Sequence, residues 1–254
     1  MGDHGRLFLY GARMLHLAPG QGWIDLVIIA YAVAVMPALS VINGRKLGAD
    51  PGTSLVPRYW RTMIRGWLSA ALIIAAWLAS HRDFAALGLD MPVGPYGLYG
   101  LLAVTAAAAG LGFVHLNLGR VIKPARYPEL RAQMRELKIL PRTTNEMLVF
   151  LGVSLTAGVW EELMYRGFLT WFIAPYTGVI AAIVISSLIF GLGHGYQGWK
   201  GVVRTFLLGA AFAAAYVLSQ SLWWVMAAHA LVDLWGGTLG WRVMRMPEAQ
   251  PAQA

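Results

Sequence analysis

Long apolar stretches broken by short polar and basic segments are the feature that most limits what this chain can become. They run over about 23–42, 63–79, 97–117, 144–172, 176–194, 201–219 and 222–240. A bilayer core takes about 20 predominantly apolar helical residues to cross, and in lipid only helices and closed barrels satisfy every backbone group. The fold class is therefore an all-α integral membrane protein, a polytopic helical bundle of about seven transmembrane helices. Composition agrees, with 58% of the 254 residues hydrophobic and 13% charged. The absence of cysteine excludes disulfides, thiol catalysis and thiolate metal sites.

A formal net charge of +8 would suggest nucleic acid in a soluble chain. Here most Lys and Arg residues fall in 43–62, 118–146, 195–204 and 241–254, alternate connections that the positive-inside rule places on one side. Nucleic acid is not an expected partner; the bilayer is. The N-terminus is expected outside and the C-terminus inside, and the Ala- and Gly-rich character suggests a bacterial cytoplasmic membrane. Residues 1–22 read as an uncleaved N-terminal segment with room for an interfacial helix, 23–240 as the transmembrane helical domain, and 241–254 as an unstructured tail. Trp23, Trp60, Trp199 and Trp241 sit beside span ends as interfacial anchors.

Local signals punctuate the spans. Pro37 predicts a kink in span one, and residues 43–62 read as a basic loop. Span three is rich in Ala and Gly, which allow close helix approach, and Gly209 and Ala213 give span six a small face for packing. Leu130, Met134, Leu137 and Leu140 recur at helical spacing among bases, the pattern of an amphipathic helix on the membrane surface. Thr143-Thr144-Asn145-Glu146 supplies a capping box, so span four starts sharply. It is expected to end before Pro175.

Span four also carries Glu161, Glu162 and Arg166. Each isolated charge near a bilayer centre costs about 2.5–3.5 kcal/mol on insertion scales. Glu162 and Arg166 are four apart with the acid first, the orientation that lets them pair. Glu161 lies about 100° around the helix from Glu162 and needs another partner, a proton or a function. His194 follows Phe190 at the glycine-rich end of span five, and His229 and Asp233 share a face of span seven. Taken singly, each has a structural reading: an ion pair, an interfacial histidine, a local His–Asp bond. Together they supply a carboxylate base, a histidine to share a water, and polar groups for an oxyanion.

Glu161-Glu162-x-x-x-Arg166, Phe190-x-x-x-His194 and His229-x-x-x-Asp233, in that order on apolar segments, resemble the signature of the CPBP (CAAX protease, or Abi) family of intramembrane proteases. The resemblance covers about 120–240. It implies cleavage of a peptide bond near the cytoplasmic membrane surface, with a membrane-anchored or C-terminally modified peptide as substrate. It also implies roles: Glu161 as general base, His194 holding the water with it, His229 at the oxyanion, and Glu162, Arg166 and Phe190 as structural support. The fourth polar position, usually Asn or Asp in the family, is Asp233. An ionised Asp only accepts hydrogen bonds, so Asp233 is expected to orient His229 from behind.

No cofactor is required for this mechanism. A zinc-dependent version would use Glu161, His194, His229 and Asp233 as its ligands. A transporter relaying protons through the buried charges, and a non-catalytic immunity or scaffold protein, are the readings from other classes. A straight span five would leave His194 near the inner surface while Glu161 and His229 lie about 20 Å deep at 1.5 Å per residue. The three meet only if spans tilt, a cavity dips inward, or the ends of spans four and five differ from these.

Overall fold

Helix α1 begins where Asp25 accepts the Gly22 N–H at 3.0 Å, and it spans Trp23–Lys46. Residues Tyr31–Val35 form a wide π turn immediately before Pro37, whose missing N–H leaves a gap in the helical ladder. The computed structural model describes residues 22–49, 53–90 and 93–246. The expectations for 1–21 and 247–254 fall outside the described residues.

Five further long helices follow, α2 Val56–Ala79, α3 Pro95–Leu116, α5 Thr144–Thr177, α7 Gly198–Ser219 and α8 Leu222–Val243, with a shorter α4 Tyr127–Glu136 before α5 and a shorter α6 Val179–Gly193 after it. The described elements are all helical, and the chain is a polytopic membrane protein. Five helices (α1, α2, α3, α5 and the one ending at Ser219) are long and apolar enough to cross a bilayer. That number is lower than the seven spans expected, for two separate reasons. Helix α6 is apolar but short, and α8 has the length but carries His229, Asp233, Arg242 and four tryptophans among its apolar residues.

The basic loop expected at 43–62 is mostly helix. Helical structure after the π turn continues to Ala49, and α2 starts at Val56 with Pro57 in its first turn, where a missing N–H costs nothing. Glu146 joins this helix start to that of α5. Its side chain accepts from Thr143 N at 3.2 Å and Arg142 N at 2.8 Å, while Thr143 Oγ1 accepts from Glu146 N at 3.1 Å, completing the expected capping box. The other carboxylate oxygen accepts from Leu55 N at 2.9 Å, so one buried acid caps two helices.

Helix α5 packs between α2 and α8, α6 packs on α7, and α3 lies along α8. Close approach depends on glycine where α5 meets α8. A Cβ at Gly158 would sit 2.6 Å from the Met226 carbonyl. The small residues of α3 behave otherwise: Ala106 to Gly110 are exposed, and nothing lies within 4 Å of a Cβ at Gly110 or Gly112. Gly209 and Ala213 do pack, and both are buried. The amphipathic α4 is only partly a surface element. Its Met134, with Leu140 beyond it, covers Gly240 of α8, and its buried Arg131 donates to the carbonyls of Val243, at 3.2 Å, and Met246.

Asp25 is buried against Arg82 of the α2–α3 connection. The guanidinium meets both carboxylate oxygens, at 2.8 and 2.6 Å, and lies over the rings of Trp77 and Trp171.

Candidate active site

The hairpin of α5 and α6 places the site. Helix α5 does not stop before Pro175 but runs to Thr177, because a proline in the last turn removes little of the ladder. From Glu161 the chain rises about 16 residues to Thr177, turns at Gly178, and descends about 15 residues to His194, roughly 24 Å up and 22 Å back. His194 therefore comes level with Glu161. The depth mismatch expected from a span-four end at 172 disappears with that correction.

The acidic run lies where the helix changes form. Thr144–Glu161 is α-helical, and Glu162–Leu169 is π-helical, with all eight π residues buried. Thr170 Oγ1 donates to the Tyr165 carbonyl at 3.0 Å, five residues back, serving a carbonyl in the widened turn. Such π segments recur at functional sites, where they re-aim side chains without ending the helix.

Glu162 faces the bundle interior. One of its oxygens, Oε1, accepts from Arg166 NH1 at 2.8 Å and lies 2.5 Å from His229 Nδ1. The expected Glu162–Arg166 pair is present. The expected partner of His229 is not: Glu162, rather than Asp233, holds the ring from behind. Asp233 Oδ2 lies 3.8 Å from the other ring nitrogen, Nε2, and its side chain is 36% exposed towards the cavity it helps line. A residue one turn along α8 reaches the front of the ring, whereas the π turn brings Glu162 behind it.

His194 is fixed by a helix end. Its backbone N–H bonds to Gly191 and Leu192, which leaves the Phe190 carbonyl for the side chain, and Nδ1 meets that carbonyl at 2.9 Å. A carbonyl only accepts, so Nδ1 carries the proton and Nε2 of a neutral ring is an acceptor. Phe190 stands edge-on to His194, Tyr165 and His229 at centroid distances of 4.6, 5.1 and 6.1 Å, with the Arg166 guanidinium 4.2 Å from its ring centre. A Cβ at Gly209 would meet Phe190 at 2.9 Å and Arg166 NH2 at 3.2 Å, so the glycine leaves room for that stack.

Glu161 meets the His229 ring at its other nitrogen. Its Oε2 lies 3.8 Å from His194 Nε2 and 3.8 Å from His229 Nε2, and it is buried with no hydrogen-bond partner among the described residues. All four expected catalytic residues, Glu161, His194, His229 and Asp233, thus converge. Glu161, His194 and Asp233 line a cavity of about 260 Å³ that reaches Asn43, Arg58 and Ile139 at the basic end of the bundle, with His229 buried beside them. Arg65, Tyr165, Tyr196 and Trp160 also line it. Sequence reasoning did not single these out, although an arginine inside the apolar stretch 63–79 was the available signal for Arg65.

The donor atoms stand somewhat wider apart than the ligand atoms of a bound zinc. Bonds of about 2.0–2.2 Å in tetrahedral geometry place ligand atoms roughly 3.3–3.5 Å apart, against 3.8 Å for each pair here. Among the described residues no group of three or more His, Asp or Glu side chains is arranged to hold a metal ion.

Fold and site together define a polytopic helical membrane protein with a carboxylate and two histidines gathered at a buried cavity. Residues 143–235 match the family model described as type II CAAX prenyl endopeptidase Rce1-like. The chain carries a domain of this CPBP/Abi family over those residues. No curated protein matches the chain. No solved structure matches it either.

Proposed function

We propose that the protein is an intramembrane endopeptidase of the CAAX-protease type that hydrolyses a peptide bond near the cytoplasmic membrane surface by water activated between Glu161 and His194. The observation that carries this reading is the unpartnered Glu161 Oε2, equidistant from two histidine Nε2 atoms. A water there donates one hydrogen to the Glu161 carboxylate and the other to His194 Nε2. Glu161 takes the first proton as the water oxygen attacks the scissile carbonyl carbon. The carbonyl π electrons move to oxygen, and the resulting oxyanion accepts from His229 Nε2–H, the ring being doubly protonated with Nδ1–H on Glu162. Collapse breaks the C–N bond, and Glu161 returns its proton to the leaving amine. Asp233, an acceptor at the front of the ring, takes a substrate backbone N–H.

The substrate is a membrane-anchored or C-terminally modified peptide, reached from the basic end of the bundle, with the N-terminus outside and the C-terminus inside a bacterial cytoplasmic membrane. Buried charges in transporters serve flux, but here Arg166, Glu162 and His229 are locked in one bonded chain.

The test is cleavage of a pooled library of membrane-anchored and C-terminally lipidated peptides by purified wild type and Glu161→Gln, read by mass spectrometry. Cuts made by wild type and lost in the variant support the reading. Equal cutting by both contradicts it. Repeating the assay with 1,10-phenanthroline separates a metal-dependent protease from the side-chain mechanism, which predicts unchanged cutting.

A further inference from the structure

Beside α2, where Tyr31 of α1 meets it, lies a groove of about 400 Å³ lined by Tyr31, Arg61, Ile64, Arg65, Leu68, Ser69 and Leu72. Its chemistry is divided along the helix. Ile64, Leu68 and Leu72 follow one another at four-residue intervals and are 56%, 66% and 38% exposed. Arg61 and Arg65, also four apart, stand at the end nearer the start of α2. Neither guanidinium has a hydrogen bond or ion pair among the described residues, and Arg65 Nε is buried without a partner. Guanidiniums without a hydrogen-bonded anion on a bilayer-facing helix are costly unless one meets them.

The geometry points to a binding site for an anionic glycerophospholipid of the leaflet at the basic end of the bundle. Arg61 and Arg65 lie about 8 and 14 Å along α2 from Val56, a depth from which long side chains reach the head-group phosphates. Ile64, Leu68 and Leu72 extend from there towards the bilayer centre, the direction an acyl chain takes. A zwitterionic lipid offers the same chains but carries its own cation, so charge complementarity selects the anionic head group. Arg65 lines both this groove and the Glu161 cavity, so the lipid phosphate would sit across one arginine from the site. The assignment does not depend on the protease reading.

The test is native mass spectrometry of the full chain in neutral detergent, titrated with phosphatidylglycerol and with phosphatidylcholine of identical acyl chains. Phosphatidylglycerol is expected to bind at least tenfold more tightly. Arg61→Gln, at an exposed position, should weaken it severalfold, and Arg61→Gln/Arg65→Gln should remove the preference. Leu68→Gln should weaken both lipids. Equal affinity for the two lipids, or full retention of the preference in the double variant, would overturn the assignment. So would inorganic phosphate competing as well as the lipid, or a lipidated peptide binding there without any preference for phosphatidylglycerol.

Discussion

His229 Nδ1 lies 2.5 Å from Glu162 Oε1, a contact between α8 and the π turn of α5 that fixes the ring with its Nε2 towards Glu161. The same oxygen accepts from Arg166, so a buried carboxylate holds two cationic or donor groups at once. Losing Glu162 leaves both without a partner in an apolar interior.

Glu162→Gln should therefore be the most damaging conservative change near the site for stability. Removing one member of a buried ion pair costs about 3–5 kcal/mol. A large fall in melting temperature together with lost cleavage is expected. A variant as stable as wild type would show that Glu162 does not carry the cluster.

Asp233→Asn should be mild by comparison. Asp233 lies in front of the His229 ring and does not hold it, and an Asn amide can both donate and accept there. Cleavage within about tenfold of wild type is expected, with Nδ1 of His229 still tied to Glu162. A loss as large as that of Glu162→Gln would mean that Asp233 has the orienting role after all.

Gly158→Ala tests whether helix spacing sets the geometry. The new Cβ would meet the Met226 carbonyl at 2.6 Å and Ala230 N at 3.0 Å, so α5 and α8 must separate. Glu161 and His229 lie on those two helices beside this contact. A displacement near 1 Å can cost about 10²-fold in rate, so kcat should fall by one to two orders of magnitude in protein that still folds. Unchanged kcat would show that the spacing has slack.

Arg82→Met should destabilise without touching the chemistry. It strands Asp25, buried and paired among the described residues through Gly22 and Arg82, at a cost of about 3–5 kcal/mol. Asp25→Asn/Arg82→Met should recover much of the loss, and folded fractions of both variants should cleave at the wild-type rate. Additive losses in the double variant would refute a coupled pair.

What was legible in the sequence was whatever depends on local spacing. The capping box at Thr143–Glu146, the Glu162–Arg166 pair and the three motifs that meet at Glu161 all rest on three- or four-residue intervals. The Arg82–Asp25 pair and the Leu55–Glu146 cap join residues 57 and 91 positions apart, and no local pattern marks them. The π turn at Glu162–Leu169 leaves no signature in residue types, and it is what sends Glu162, not Asp233, to the back of His229. Pro175 misled because proline reads as a helix stop, whereas in a last turn it is tolerated. Span three misled because small residues permit close packing without requiring it.

Glu161→Gln in reconstituted liposomes is the most direct measurement. Glu161 Oε2 makes no hydrogen bond within the described residues, so the amide replaces it without breaking an internal contact. General acid–base catalysis contributes about 10²–10⁴-fold. The melting temperature should stay close to that of wild type, and peptide cleavage should fall by at least two orders of magnitude. A well-folded Glu161→Gln protein that cleaves within tenfold of wild type would contradict the assignment of Glu161 as the base.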